Sequence, residues 1–126
     1  MFVIGSDMTI NITRGDAAVF TVSANIGEEA YQFKKGDIVR FKVFAKKNCS
    51  NVVLKKDVTV NAASNTVEIS LESKDTKIGE IINKPTDYWY EVELDPDTNP
   101  QTIIGYDDDG AKIFKIFPEG GAADEQ

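Results

Sequence analysis

Val67-Glu68-Ile69-Ser70-Leu71-Glu72 alternates apolar and polar residues without a break. Successive side chains of a strand point to opposite faces, so this run predicts a half-buried strand with Val67, Ile69 and Leu71 inside. The same period of two extends outward in both directions. Toward the C terminus, Tyr88, Tyr90, Val92 and Leu94 alternate with Trp89, Glu91 and Glu93. Toward the N terminus, Val39, Phe41, Val43 and Ala45 alternate with Arg40, Lys42 and Phe44. Phe20, Val22 and Ala24 alternate with Val19, Thr21 and Ser23, and Met8, Ile10 and Ile12 alternate with Thr9, Asn11 and Thr13. Thr102–Tyr106 and Lys112–Phe117 read as a last pair of strands around Asp107-Asp108-Asp109-Gly110. Val52–Val60 reads as a strand whose phase is blurred by Lys55-Lys56, which a bulge or an edge position would explain.

Turn chemistry falls between these runs: Arg14-Gly15-Asp16, the polar loop Asn25–Ala30, Lys35-Gly36-Asp37, Lys46–Asn51, Asn61–Asn65 and Asp95–Pro100. Ser73–Glu80, with Ser73 as a cap, is the one stretch with helical character, and Gly79 and its shortness reduce it to a single turn. Seven to eight short strands with regularly spaced turns predict an all-β sandwich or barrel. The expected organisation is a flexible leader over 1–7, one β-sandwich domain over 8–117 and a disordered acidic tail over 118–126.

A chain of 126 residues with 41% hydrophobic and 10% aromatic residues has globular composition. A domain of this size buries roughly two-thirds of its unfolded surface and needs no covalent staples. Its single cysteine, Cys49, sits in a polar turn and leaves no intrachain disulfide. The net charge of −7 repels phosphate backbones and anionic lipid, so neither nucleic acid nor membrane is an expected partner. No apolar run approaches the ~18 residues that span a bilayer. The opening Met1–Asp7 is too short and uncharged for a signal peptide, which predicts cytoplasmic synthesis.

Chemistry-bearing constellations are few. With no histidine, the commonest general base and transition-metal ligand are missing. One cysteine excludes structural zinc, and nothing here activates it as a nucleophile. Asp95, Asp97 and Asn99 have the spacing of the first calcium ligands of an EF-hand loop, but Pro100 stands where that loop needs glycine and Tyr106 where it needs glutamate. Asp107–Gly110 reads as a hairpin turn, and Glu91 with Glu93 as a solvent face rather than a catalytic pair. Arg14-Gly15-Asp16 spells an integrin-binding triplet in a position that a turn explains. Asn11-Ile12-Thr13 and Asn48-Cys49-Ser50 match glycosylation sequons. The expectation is a protein without catalytic residues, metal or cofactor.

Tyr88, Trp89 and Tyr90 are consecutive, so a strand cannot place all three inside. With Tyr88 and Tyr90 in the core, Trp89 faces out beside Phe44. Trp89 and Phe44 are therefore the candidate interaction residues, since outward aromatics anchor interfaces or stack on sugars, and the blurred strand Val52–Val60 is the candidate contact beside them.

Read in order, these weak signals resemble a known family. Met8–Val22, with its strand, Arg-Gly-Asp turn and Thr/Val/Phe strand, resembles the opening of small tail-associated domains of phages and prophages of Gram-positive bacteria. Phe33–Val43, Glu68–Leu71 followed by Lys74–Lys77, and Tyr88–Leu94 leading to a Thr-Ile-Ile strand resemble later elements of those domains. The nearest named family is the N-terminal domain of the baseplate upper protein. Spanning roughly residues 8 to 117, the resemblance implies an immunoglobulin-like antiparallel β-sandwich that plugs an appendage into a baseplate. It also implies a virion location, and partners that are other phage structural proteins or copies of itself in a homo-oligomer. The chain stops where that family continues into a coiled coil and a receptor-facing part. A carbohydrate-binding or adhesion module of a bacterial surface protein is the alternative, because it shares the architecture.

Overall fold

Ile38–Lys46 and Thr86–Leu94, each with apolar residues at every second position, lie side by side at the centre of the main sheet. The computed structural model describes residues 1–80 and 83–120. In chain order the strands are β1 (Phe2–Ile4), β2 (Ile10–Thr13), β3 (Ala18–Val22), β4 (Ala24–Ile26), β5 (Glu29–Tyr31) and β6 (Ile38–Lys46). They continue with β7 (Ser50–Thr59), β8 (Val67–Leu71), β9 (Thr86–Leu94), β10 (Gln101–Ile104) and β11 (Lys112–Phe117). The protein is all-β, as the alternation predicts. The main sheet runs β1-β2-β11-β9-β6-β7, with β10 also paired to β9; β3 pairs with β8, and β4 with β5.

Among the described residues there are eleven strands, against the expected seven to eight. The additional ones, β1, β4 and β5, have three residues each, too few for a period to register. The stretch Asn25–Ala30, read as a loop, is instead the heart of the β4–β5 hairpin, where Gly27 takes φ +66° at the turn. Residues 1–7, expected as a flexible leader, contribute a strand. Phe2–Ile4 pairs with β2, Phe2 stacks on Phe20 at 5.9 Å, and the terminal ammonium lies 2.6 Å from Asp16 Oδ2. The sheet is also not wholly antiparallel, because β11 runs parallel to β2. These two strands are joined by most of the chain, so no hairpin fixes their relative direction.

The inner face of the main sheet closes on β3 and β8. Ile10, Ile12, Val39, Phe41, Val43, Tyr90, Val92, Leu94, Phe114 and Ile116 meet Phe20, Val22, Ile69 and Leu71 in one apolar core. Phe41 sits at its middle, with ring centroids of Phe20 and Tyr90 at 5.6 Å and of Phe114 at 5.9 Å. Val67, Ile69 and Leu71 all point inward, as their alternation requires. The blurred phase of Val52–Val60 has both anticipated causes. The β6–β7 register slips between Val43 and Phe44, and β7 is the last strand on its side of the sheet.

The stretch read as a single turn is a 3-10 turn over Ser73–Thr76, capped by Glu72 rather than Ser73. Fully buried Thr76 ties it to the Arg14-Gly15-Asp16 turn: its Oγ1 accepts from Gly15 N and donates to Asp16 O, both at 2.9 Å. Replacing that hydroxyl with a methyl leaves a part-buried amide and carbonyl without this partner. Thr76→Val is therefore expected to lose about 1–3 kcal/mol, seen as a lower urea midpoint at unchanged slope.

The tail is held at its start. Glu119 Oε1 lies 2.8 Å from Arg14 Nη1, and Arg14 Nη2 donates to Gly79 O at 2.9 Å. Of the tail expected to be disordered over 118–126, residues 118–120 are described and 121–126 lie outside the described residues.

Candidate interaction surface

Register decides which side chains meet on the outer face of the main sheet. Phe44 on β6 stands opposite Val52 on β7 and Trp89 on β9, and Trp89 stands opposite Ile113 on β11. Val52, Phe44, Trp89 and Ile113 therefore form one apolar row across four strands, roughly 14 Å long at the usual strand spacing. Charged rows flank it. On one side Lys55, Lys42 and Glu91 are aligned, and on the other Asp87, Lys115 and Asn11.

The sequence places Trp89 and Phe44 together on this face, and the register makes them direct cross-strand neighbours. Their exposures differ. Phe44 is only 3% exposed yet lies outside the inner core, and Lys42 Nζ stands 5.7 Å from its ring centroid. Phe44 is corrected from a contact residue to a support beside Trp89, which is itself half-buried. The slip in register instead leaves Val52 and Val53 exposed, at 53% and 41%. The sequence points to the whole blurred strand Val52–Val60 as a contact, and the exposed apolar part of it is this pair, at the start of the unbroken Val52-Val53-Leu54 run.

Ion pairs organise the rest of the face. Lys42 Nζ lies 2.5 Å from Glu93 Oε1 and 3.3 Å from Glu91 Oε1. The Glu93 contact is a charge contact without the alignment of a directed hydrogen bond. Burial pulls the Lys42 pKa down, and the two carboxylates outweigh it, so the ammonium is held above its ordinary value. Arg40 bridges Asp57 at 2.8 Å and Asp97 at 3.1 Å, and its bond to Asp57 holds that carboxyl below the usual range. Glu91 and Glu93 thus share one lysine on the outer face.

The other candidates are occupied locally. Asp95 Oδ1 accepts from Ile38 N at 2.9 Å while Asp97 pairs with Arg40, so the two acids of the calcium-like spacing have separate partners. Asp107 Oδ2 lies 2.7 Å from Lys112 Nζ and its Oδ1 accepts from Asp109 N, as in an ordinary acidic turn. Among the described residues no group of three or more metal-ligating side chains converges. Arg14 of the Arg-Gly-Asp triplet is 11% exposed and engaged with Glu119. Burial, then the Glu91 charge, pushes the Cys49 thiol up, away from the thiolate. Among the described residues no helix is long and apolar enough to cross a membrane.

No protein-family model, characterised protein or solved structure matches the chain.

Proposed function

We propose that this chain is a non-enzymatic structural module of a phage or prophage virion, an adaptor of the tail or baseplate region that joins copies of itself or neighbouring virion proteins. The observation that carries the reading is the exposed Val52–Val53 pair on β7, at one end of the apolar row through Phe44 and Trp89. Among the described residues no strand pairs with the outer edge of β7. A sheet edge beside an apolar row is the kind of surface that symmetric assemblies bury.

Strand order supports the resemblance on which the reading also rests. The sequence β11-β9-β6-β7 in one sheet, facing β3-β8, follows the G-F-C-C′ and B-E neighbours of variable-type immunoglobulin sandwiches.

Light scattering after size exclusion, over a wide concentration range, tests the proposal. The expected result is a discrete oligomer, such as a trimer or hexamer, that Trp89→Ala and Val53→Lys each shift toward monomer with an unchanged melting temperature. Wild-type protein that is monomeric throughout removes self-assembly. Assembly unaltered by both variants removes this face.

A further inference from the structure

On the side of Trp89 away from β7, the outer face is hollowed. Trp89 and its cross-strand neighbour Ile113 line a hollow of about 260 Å³ together with Tyr106, Asp87, Asp109 and Lys47. Tyr106 is 73% exposed, the most exposed of the large apolar side chains among the described residues. An adjoining hollow of about 410 Å³ shares Ile113 and Asp109 and reaches Asp7 and Thr9. The two adjoin, and their combined lining sets Trp89, Tyr106 and Ile113 beside the carboxylates Asp7, Asp87 and Asp109 and the lysines Lys47 and Lys112.

We propose that these hollows are a binding groove for a neutral, linear oligosaccharide. A pyranose ring presents an apolar face of C–H groups and a rim of hydroxyl donors. Trp and Tyr supply flat apolar area with little entropy to lose, and carboxylates accept hydroxyl hydrogens. Asp7 is suited to this, since the bond from Thr9 N holds its carboxyl below the usual range and keeps it an acceptor. A polyanionic glycan is disfavoured because Asp7, Asp87 and Asp109 outnumber Lys47 and Lys112, the latter already paired with Asp107, and because the net charge is −7. Two adjoining hollows with a shared wall give room for successive rings, which favours a chain over a single sugar. The groove shares Trp89 with the assembly surface, and Tyr106 and Asp7 on one side against Val53 on the other let the two readings be tested apart.

Trp89 is the only tryptophan, so its emission reports the groove without labelling. Cello-, malto- and chito-hexaose are titrated separately up to about 10 mM, the range of weak single-site binding. At least one is expected to change the emission saturably, and Tyr106→Ala to weaken that response about three- to tenfold. Val53→Lys, which disturbs the assembly surface, is expected to leave the response intact. Three outcomes overturn the proposal: no saturable change with any of the three, tighter binding of an acidic hexamer such as oligogalacturonate, or an affinity indifferent to Tyr106→Ala at unchanged melting temperature.

Discussion

Phe41→Ala is expected to destabilise the domain by about 3–5 kcal/mol, a large share of the ~5–15 kcal/mol that holds a domain together. The reason is position rather than residue type. Phe41 is fully buried on the central strand β6, and its ring contacts Phe20 on β3, Tyr90 on β9 and Phe114 on β11. It therefore joins the main sheet to the β3–β8 pair as well as filling volume. Truncation removes the transfer energy of the ring and leaves a cavity that neighbours on rigid strands fill only in part. For a domain of this length the melting temperature falls by roughly 10–20 °C. Phe41→Leu, which keeps most of the volume, is expected to cost less than half as much. A calorimetric loss under about 1 kcal/mol for Phe41→Ala would mean that the sheets are not held together at this point.

What the sequence disclosed and withheld follows from the range of each signal. Alternation is local, so the inward faces of β6, β8 and β9 were readable, and Trp89 could be placed outside beside Phe44. Alternation names a face but not what covers it. The burial of Phe44 depends on Lys42 and on the slipped register of β7, and neither is visible in the run Val39–Ala45. Strand partners were less legible still. The parallel β2–β11 pair joins opposite ends of the chain, and Arg14 meets Glu119 across 105 residues. Tyr106 and Ile113 come together with Trp89 only because β11 pairs with β9 and the Gly105–Ala111 loop lies beside them. No spacing in the sequence encodes that juxtaposition.

Lys56→Met is expected to change the sign of part of the protein's pH dependence as well as to weaken it. Lys56 stands opposite Phe41 in the β6–β7 register and so belongs to the inward-facing set of β7, on a strand at the sheet edge. Its Nζ lies 2.7 Å from Oδ2 of Asp75, which also accepts from Glu72 N at 2.8 Å. Asp75 is 8% exposed and Lys56 27%, so the carboxylate depends on the pair more than the ammonium does. Burial alone would raise the Asp75 pKa; the Lys56 bond and the Glu72 amide overcome it and hold the carboxyl below its ordinary 3.8. A group whose folded pKa is depressed adds stability above its unfolded pKa, and that stability is lost as pH falls through the folded value. In the wild type this contribution therefore rises with pH across the acid range. Without Lys56 the buried carboxylate keeps only the Glu72 amide and the attraction of Lys74 against its desolvation, and its folded pKa is expected to move above the unfolded one. The folded state then binds the extra proton, and the Asp75 contribution falls as pH rises from about 4 toward 7. Unpairing costs roughly 2–4 kcal/mol at neutral pH, since one charge stays buried without its partner. Asp75→Asn is expected to cost less, because Lys56 can turn to water, and to abolish the term altogether. Adding Asp75→Asn to Lys56→Met should recover part of the loss by removing the stranded charge. Urea unfolding of the four proteins from pH 3 to 7 separates these cases. Parallel stability curves for wild type and Lys56→Met would mean that the pair does not control Asp75. Lys56→Met also removes an inward-pointing charge from an open sheet edge, a device that discourages edge-to-edge pairing. Increased association by this variant alone would identify Lys56 as the guard of the β7 edge, distinct from the Val52–Val53 contact.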